Sequence, residues 1–390
     1  CGPGTRLASL EPQRGHFEGP CLEDPFRVPR SQKLELLEAA SAVMCDDPRI
    51  SLSRAALWFE RRKRVFASTE GSLVSSDLVF SMPFLMAFAT HGDDAQSRSL
   101  QDGARIAGWE WIDQTGLTES AVWVRDQAIE KVLAGEPEPG VYDLVLDGLH
   151  LGLTIHESVG HPTESDRALG WEANMAGRTF LSPDDRGSLR YGSDLVNLVA
   201  DNTLPYGLAS WGWDDEGVPG QRWYLVRNGI FQEFGTVRET AAVLGTVSSR
   251  GCCRAEDFAS FQINRQPNLY LEPGKVRMTP EDIISATDSG ILIEGRGSFS
   301  ISQRRVNFQF GGDRFTRIRA GKLAGPLKKV IYRSTTKEFW GSCDMIADER
   351  CFRTMGLLNC GKGEPLQSAR MTHGASHSRF RGITVGGEIQ

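Results

Sequence analysis

The stretch His156-Glu157-Ser158-Val159-Gly160-His161 places two imidazoles and one carboxylate within six residues. Zinc hydrolases often carry two His and one Glu on a single helix: the imidazoles hold the metal, and the carboxylate takes a proton from the water that the metal activates. Their common spacing sets the two His four apart, one helical turn. Here they are five apart, so on a regular α-helix, at about 100° per residue, the side chains diverge by about 140°. Both imidazoles can face one metal only if the helix takes in an extra residue, a π-type bulge of the kind often found at functional sites. Gly160 lowers the cost of that distortion, and Pro162 has no backbone donor for a regular ladder. Spacing alone leaves open that the histidines are unrelated and that Glu157 is an ordinary first-turn carboxylate. Five of the seven histidines (150, 156, 161, 373 and 377) fall in two short windows, which favours a shared site.

Working outward, 141–146 reads as a strand and 149–161 as the start of the helix that carries the motif. Glu136-Pro137-Glu138-Pro139-Gly140 is a break. Before it, Ala121, Val122, Val124, Ala128, Ile129, Val132 and Leu133 recur at helical spacing, predicting a helix over 119–133 that Gly135 ends. Farther upstream, 31–42 reads as an amphipathic helix with Ser31 as N-cap. The stretches 53–59, 64–68 and 73–89 read as strands of an antiparallel sheet, with Glu70-Gly71 as a hairpin turn. Beyond Leu195 strand follows strand, and turns are signalled at Glu216-Gly217, Asn228-Gly229, 272–274, Gly311-Gly312 and Ala320-Gly321. Asn228-Gly229 is the strongest hairpin signal. One helix, 279–287, interrupts this region.

The expected fold class is α+β: helices with an antiparallel sheet in the first part of the chain, followed by a β-rich, mainly antiparallel C-terminal part. The division predicted is an opening segment 1–30, an α/β domain 31–175 that carries the motif helix, and a β-rich domain 176–390 that supplies the third metal ligand.

The chain has 390 residues, 40% hydrophobic and 24% charged, which suits a multidomain globular protein. A formal net charge of -6 argues against broad binding to nucleic acid. The one basic run, Arg61-Arg62-Lys63-Arg64, reads as a solvated strand end or turn. Eight cysteines lack any C-x-x-C pair, which predicts a reducing, cytoplasmic setting, and Cys252, Cys253, Cys343 and Cys351 read as buried, inert thiols. No apolar run approaches the ~20 residues that span a bilayer. Gly295-Arg296-Gly297 lacks the third glycine and the helix of a dinucleotide loop. Cys1 in place of Met is read as a sign of truncation.

Several of these stretches together resemble the TldD/PmbA family of metallopeptidases. They are Gly140-Val141-Tyr142-Asp143-Leu144-Val145-Leu146, the 156–161 motif with Glu164 and Asp166, and Asp214-Asp215-Glu216-Gly217-Val218-Pro219-Gly220. Arg227-Asn228-Gly229-Ile230, Asn359-Cys360-Gly361-Lys362 and Ile383-Thr384-Val385-Gly386-Gly387 extend the likeness, which covers most of the chain from near Ser31. The resemblance implies an N-terminal α/β domain, read as truncated at its start, and Zn2+ as cofactor, held by the two His and one distant Cys. It also implies cleavage of extended or unfolded peptides, and dimers, either of like subunits or with a PmbA/TldE-like partner. The catalytic TldD type keeps H-E-x-x-x-H and its partner type lacks it, so this chain resembles the catalytic type. Two departures are the short region before Ser31 and the segment 371–377, where bacterial TldD is glycine-rich.

From the residues alone the third ligand could be Cys360, His373, His377 or Glu164. Cys360 is preferred: 359–363 reads as a tight turn, Lys362 as a charge that holds the thiolate, and the resemblance points to the same residue. Glu157 is then the catalytic base. Glu164 and Asp166 are expected to orient the imidazoles, and His373 and His377, on a Gly- and Ser-rich loop, to meet peptide or solvent. Neither nucleic acid nor membrane is an expected partner. The alternative is a non-catalytic peptide-binding subunit, which a structural zinc with a fourth protein ligand would mark.

Overall fold

The charge-interleaved stretch Ile50–Ala67 and the largely apolar stretch Leu73–His91 fold into one long hairpin, so the first two predicted strand segments merge into one. The computed structural model describes residues 6–386. Asp94–Ser99 and Arg105–Ile106 pair antiparallel with the second hairpin strand, and Arg14–Glu18 pairs with it in parallel. The opening segment therefore supplies a strand to the sheet. Cys1 lies outside the described residues.

Helices Arg30–Met44 and Leu117–Leu133 cover one face of this sheet. Ala40, Met44, Ala121, Val124 and Ala128 pack with Leu85, Ala87 and Ala89, which removes their apolar stripes from water. Ser31 is not the N-cap of the first helix; Pro29 takes that position and Ser31 lies in the first turn. The basic run is neither a strand end nor a turn. It sits inside Ile50–Ala67 with its charges matched: Arg61 and Lys63 to Asp77, Arg62 to Glu60, Arg64 to Asp215.

The rest of the chain builds a nine-stranded and a six-stranded sheet, mostly antiparallel. The Asn228-Gly229 hairpin forms as its sequence signals, between Arg222–Arg227 and Ile230–Phe231. Pro280–Ser285 is the expected helix, capped by Thr279. Arg238–Val243 and Thr336–Gly341 are helices as well; at six residues each they carry too little periodicity to announce themselves. Cys252, Cys253 and Cys343 are buried free thiols, whereas Cys351 is half-buried.

Gly140–Leu146, which a division at 175 assigns to the N-terminal domain, is hydrogen-bonded between Ser289–Glu294 and Ser378–Val385 in the nine-stranded sheet. Periodicity defines an element but not the sheet it joins. On that pairing we place the division at 134–139, across the Pro-rich break. The motif helix that follows lies between two sheets. Leu151, Ile155 and Val159 enter the main core with Leu144, Phe308, Tyr332 and Phe380. Leu153, on another face, packs with Met355, Leu357, Cys360 and Met371 of the six-stranded sheet.

The two halves touch backbone to backbone where Gly103 bridges Gly356. A Cβ at Gly356 would lie 2.1 Å from the carbonyl oxygen of Ala104. Gly356→Ala should therefore cost about 1–3 kcal/mol through overpacking, read as a lower denaturant midpoint; an unchanged midpoint would mean that the halves do not rest on this contact.

Candidate metal centre

Asp147 caps the motif helix, accepting from His150 N at 2.7 Å and Gly295 N at 3.0 Å. The helix is regular over Gly148–Ile155 and then becomes a π turn over His156–Gly160. His161 N donates to His156 O at 3.2 Å, a bond spanning five residues. The inserted residue brings the two rings onto one face, with centroids 4.7 Å apart. Gly160 matters for space: a Cβ there would lie 2.0 Å from Gln266 Oε1, and Gln266 Nε2 donates to the same His156 carbonyl at 3.2 Å. Ser158, at the middle of the turn, accepts from Trp340 Nε1 at 3.0 Å, and its carbonyl accepts from the Tyr191 hydroxyl.

His156, His161 and Cys360 are buried and offer donor atoms that all lie within 4.8 Å of one another, the one such group among the described residues. Cys360 Sγ is 3.8 Å from His161 Nε2. The outer nitrogens are engaged elsewhere: His161 Nδ1 lies 2.9 Å from Glu164 Oε2, and His156 Nδ1 lies 2.8 Å from His373 Nε2. Each ring thus keeps Nε2 for the cluster, as metal-ligating imidazoles held from behind do. Burial pushes both imidazoles down to about 4, so at neutral pH they present lone pairs. Burial raises the Cys360 thiol, but His161 and Arg265 more than offset it and leave it below its ordinary value. Tetrahedral zinc with N and S ligands sets donors roughly 3.4–3.6 Å apart. The present spacing reaches that with small side-chain rotations, and the donor set suits the ion.

Several expectations about the surroundings need correction. Cys360 is not on a tight turn: it lies on the strand Arg353–Lys362, just after a break in register between Leu357 and Cys360. Lys362 does not face the thiol. Its buried ammonium meets Asp166 at 2.7 Å, Glu164 at 3.2 Å and the Asn264 carbonyl at 2.8 Å. Burial would raise the Glu164 carboxyl, but Lys362, Arg167 and His161 hold it well below its ordinary range. Asp166 is pushed up to about 6, chiefly by burial. His373 is neither on a loop nor near solvent: it is fully buried on the strand Gln367–Ala375. His377 lies beyond the end of that strand, half-buried and outside the donor group.

Glu157 is next to the donors, with Oε2 2.6 Å from Arg305 Nη1. Nothing in the sequence pointed to Arg305, which sits in the turn between Phe299–Ile301 and Asn307–Gly311 at φ 62°. Thr336 Oγ1 fixes it by donating to its carbonyl at 2.6 Å. A non-glycine residue held in the left-handed region is found where a site over-determines the backbone. Above these residues lies a cleft of about 610 Å³. It is lined by His156, Glu157, His161 and Cys360 and, from the N-terminal half, by Phe84, Met86, Ser99, Leu100 and Gln101.

A buried cluster of two imidazoles and a thiol, beside a carboxylate and open to a cleft, has the donors to hold a metal ion. The family described as PmbA/TldA metallopeptidase C-terminal domain matches residues 139–387, and the chain belongs to this TldD/PmbA family. A metalloprotease of Methanothermobacter thermautotrophicus is 28% identical over 363 residues, covering 93% of this chain and 76% of that protein. A zinc metalloprotease TldD homolog of Saccharolobus solfataricus is 24% identical over 274 residues, 68% of this chain and 56% of that protein. The crystal structure of TldE from Thermococcus kodakarensis shares the fold, with a TM-score of 0.71 at 19% identity over 99% of this chain and 81% of that one.

If the three donors bind metal, Cys360→Ala should lose it on dialysis, and His377→Ala should retain it. His373→Ala, which frees His156 Nδ1, should weaken metal affinity by about 10–100-fold. Competition titration with a chelating dye measures all three; full metal in Cys360→Ala would move the third ligand elsewhere.

Proposed function

We propose that the chain is a zinc-dependent peptidase acting on extended or unfolded polypeptides, with His156, His161 and Cys360 as zinc ligands and Glu157 as general base. The observation that carries this reading is the π turn, which aligns both imidazoles while Glu164 and His373 hold their outer nitrogens. Zinc, when bound, supplies Lewis acidity to the scissile carbonyl and the attacking water. Glu157 takes a proton from that water and passes it to the leaving amine. Arg305 engages Oε2 of Glu157 and so fixes the carboxylate, leaving the other oxygen for the transfer.

Two features support an extended substrate. Phe299–Ile301 is the terminal strand of the nine-stranded sheet, and Phe299 lines the cleft. A peptide main chain can add to such an edge with its side chains largely unread. Phe84, Met86 and Leu100, which line the cleft from the N-terminal half beside Ser99 and Gln101, are apolar and demand no particular partner. A dimer, of like subunits or with a TldE-like subunit, is part of the proposal. So is a cytoplasmic setting: every described cysteine is a free thiol, and among the described residues no helix is long and apolar enough to cross a membrane.

Metal analysis of the purified protein, together with a gel assay on an unfolded polypeptide, tests the proposal. Glu157→Gln should keep zinc and lose turnover by about 10²–10⁴-fold. Cleavage at the parental rate would pass the proton role to another group, and equal cleavage of a rigid folded protein would remove the preference for extended chains.

A further inference from the structure

The cleft contains two guanidinium groups in different situations. Arg305 is paired with Glu157. Arg296 lines the same cleft and is half-buried, yet its bonds to other described residues are made by its backbone alone. Gln101 Oε1 accepts from Arg296 N, and Gln101 Nε2 donates to Arg296 O at 2.9 Å. This two-point clamp joins the N-terminal half to the segment that carries Arg296. Next to it, a Cβ at Gly297 would lie 2.3 Å from the Gly312 carbonyl oxygen, so the backbone there packs closely against the Gly311-Gly312 turn. The root of the Arg296 side chain is fixed at the cleft.

Asp313 is the carboxylate whose charge reaches Arg296, but it makes no ion pair with it and is engaged by other groups. Its Oδ2 accepts from Arg98 Nη1 at 2.6 Å, Ser99 N at 3.0 Å and Gln101 Nε2 at 3.0 Å, and Lys131 Nζ stands 3.6 Å from Oδ1. Among the residues lining the cleft there are two arginines and a single acid, Glu157, which Arg305 already neutralises. Arg296 is therefore the cleft guanidinium that makes no side-chain hydrogen bond or ion pair with any described residue. Holding an unpaired charge away from bulk water is costly, and a planar guanidinium matches one ligand group best, a carboxylate taken in two parallel hydrogen bonds.

We propose that Arg296 anchors a carboxylate of the bound peptide, either its C-terminal carboxylate or an acidic side chain near the scissile bond. This rests on the peptidase reading and adds to it a substrate class. Arg296 is a specificity residue with no part in proton transfer. It rewards peptides that bring a negative charge to a set distance from the reacting bond, while the rest of the cleft stays tolerant of sequence.

The test uses the full-length, zinc-loaded protein and short unstructured peptides in matched pairs. One pair differs only in a C-terminal acid or amide; a second series moves a single Glu, or its Gln counterpart, along an amidated peptide. Cleavage gives kcat and KM, and anisotropy of the same peptides with a fluorescent label gives binding without reference to turnover. In the parental protein one arm should show a preference for the charged member of about tenfold or more, carried by KM and by binding; which arm shows it identifies the source of the carboxylate. In Arg296→Gln that ratio should fall to near one, and Arg296→Lys, which keeps charge but not the fork, should retain part of it. Thermal unfolding of both variants confirms that they fold, and the Lys variant keeps the test open if the Gln variant does not. No charge preference in either arm, or one that survives both substitutions, overturns the proposal. Binding that depends on Arg296 without any cleavage would uphold the anchor and defeat the peptidase reading; cleavage indifferent to charge would do the reverse.

Discussion

The hydrogen bond from His161 N to His156 O, 3.2 Å long and spanning five residues, is the constraint on which the site depends. It inserts one residue into a helical turn. Without it the two imidazoles would point about 140° apart. A π turn is disfavoured locally, so other groups must hold it. Gln266 shares the His156 carbonyl, Trp340 and Tyr191 grip Ser158, and Val159 locks into the main core. The helix is irregular because its surroundings fit no other form.

That helix lies between two sheets, and each provides something it lacks. The nine-stranded sheet gives bulk: Leu144, Phe308, Phe380 and Tyr332 bury its apolar side. The six-stranded sheet gives chemistry, with Cys360 and His373 on neighbouring antiparallel strands. Below the imidazoles, Glu164, Arg167, Lys362 and Asp166 form a charge cluster almost closed to solvent. Buried charges of this kind contribute little net stability, but losing one partner costs about 3–5 kcal/mol. Such a cluster is better explained by what it orients. Glu164 stands behind His161 and is itself fixed by Lys362, which comes from the same strand as Cys360. The strand that brings the thiol thus also brings the charge that steadies the carboxylate behind the opposite imidazole.

The sequence made some of this legible and hid the rest for definite reasons. The spacing of His156 and His161 demanded a π bulge, because local geometry is written locally. Asn228-Gly229 announced its hairpin for the same reason. The place of Gly140–Leu146 in the C-terminal sheet was hidden, since its partners lie more than a hundred residues away and alternation does not name them. Cys360 is preferred as a ligand on its glycine neighbours, on Lys362 and on the family resemblance, yet it lies on a strand just after a break in register that no residue type signals. His373 looked loop-borne because Gly374, Ala375 and Ser376 are small. Small residues there allow the strand to approach the motif helix, where a Cβ on Gly148 would meet the Ala375 carbonyl oxygen at 2.1 Å. Arg305 carried no signal at all, since its role follows from a turn that places it opposite a carboxylate 148 residues earlier.

The cleft is lined by residues of both halves of the chain, so its width depends on how the halves are joined. Asp313, on the C-terminal side, takes hydrogen bonds from Arg98, Ser99 and Gln101, all N-terminal, on a single carboxylate oxygen. Ser99 and Gln101 also line the cleft. The rivet therefore lies within a residue or two of the surface a substrate would meet. Charge-assisted bonds in a dry setting are short-ranged and directional, so this joint resists sliding more than an apolar contact of equal area would. Apolar lining residues such as Phe84 and Met86 can then accept varied side chains without setting the spacing. On the peptidase reading, tolerance of sequence and precision at the reacting centre are compatible because different residues carry them.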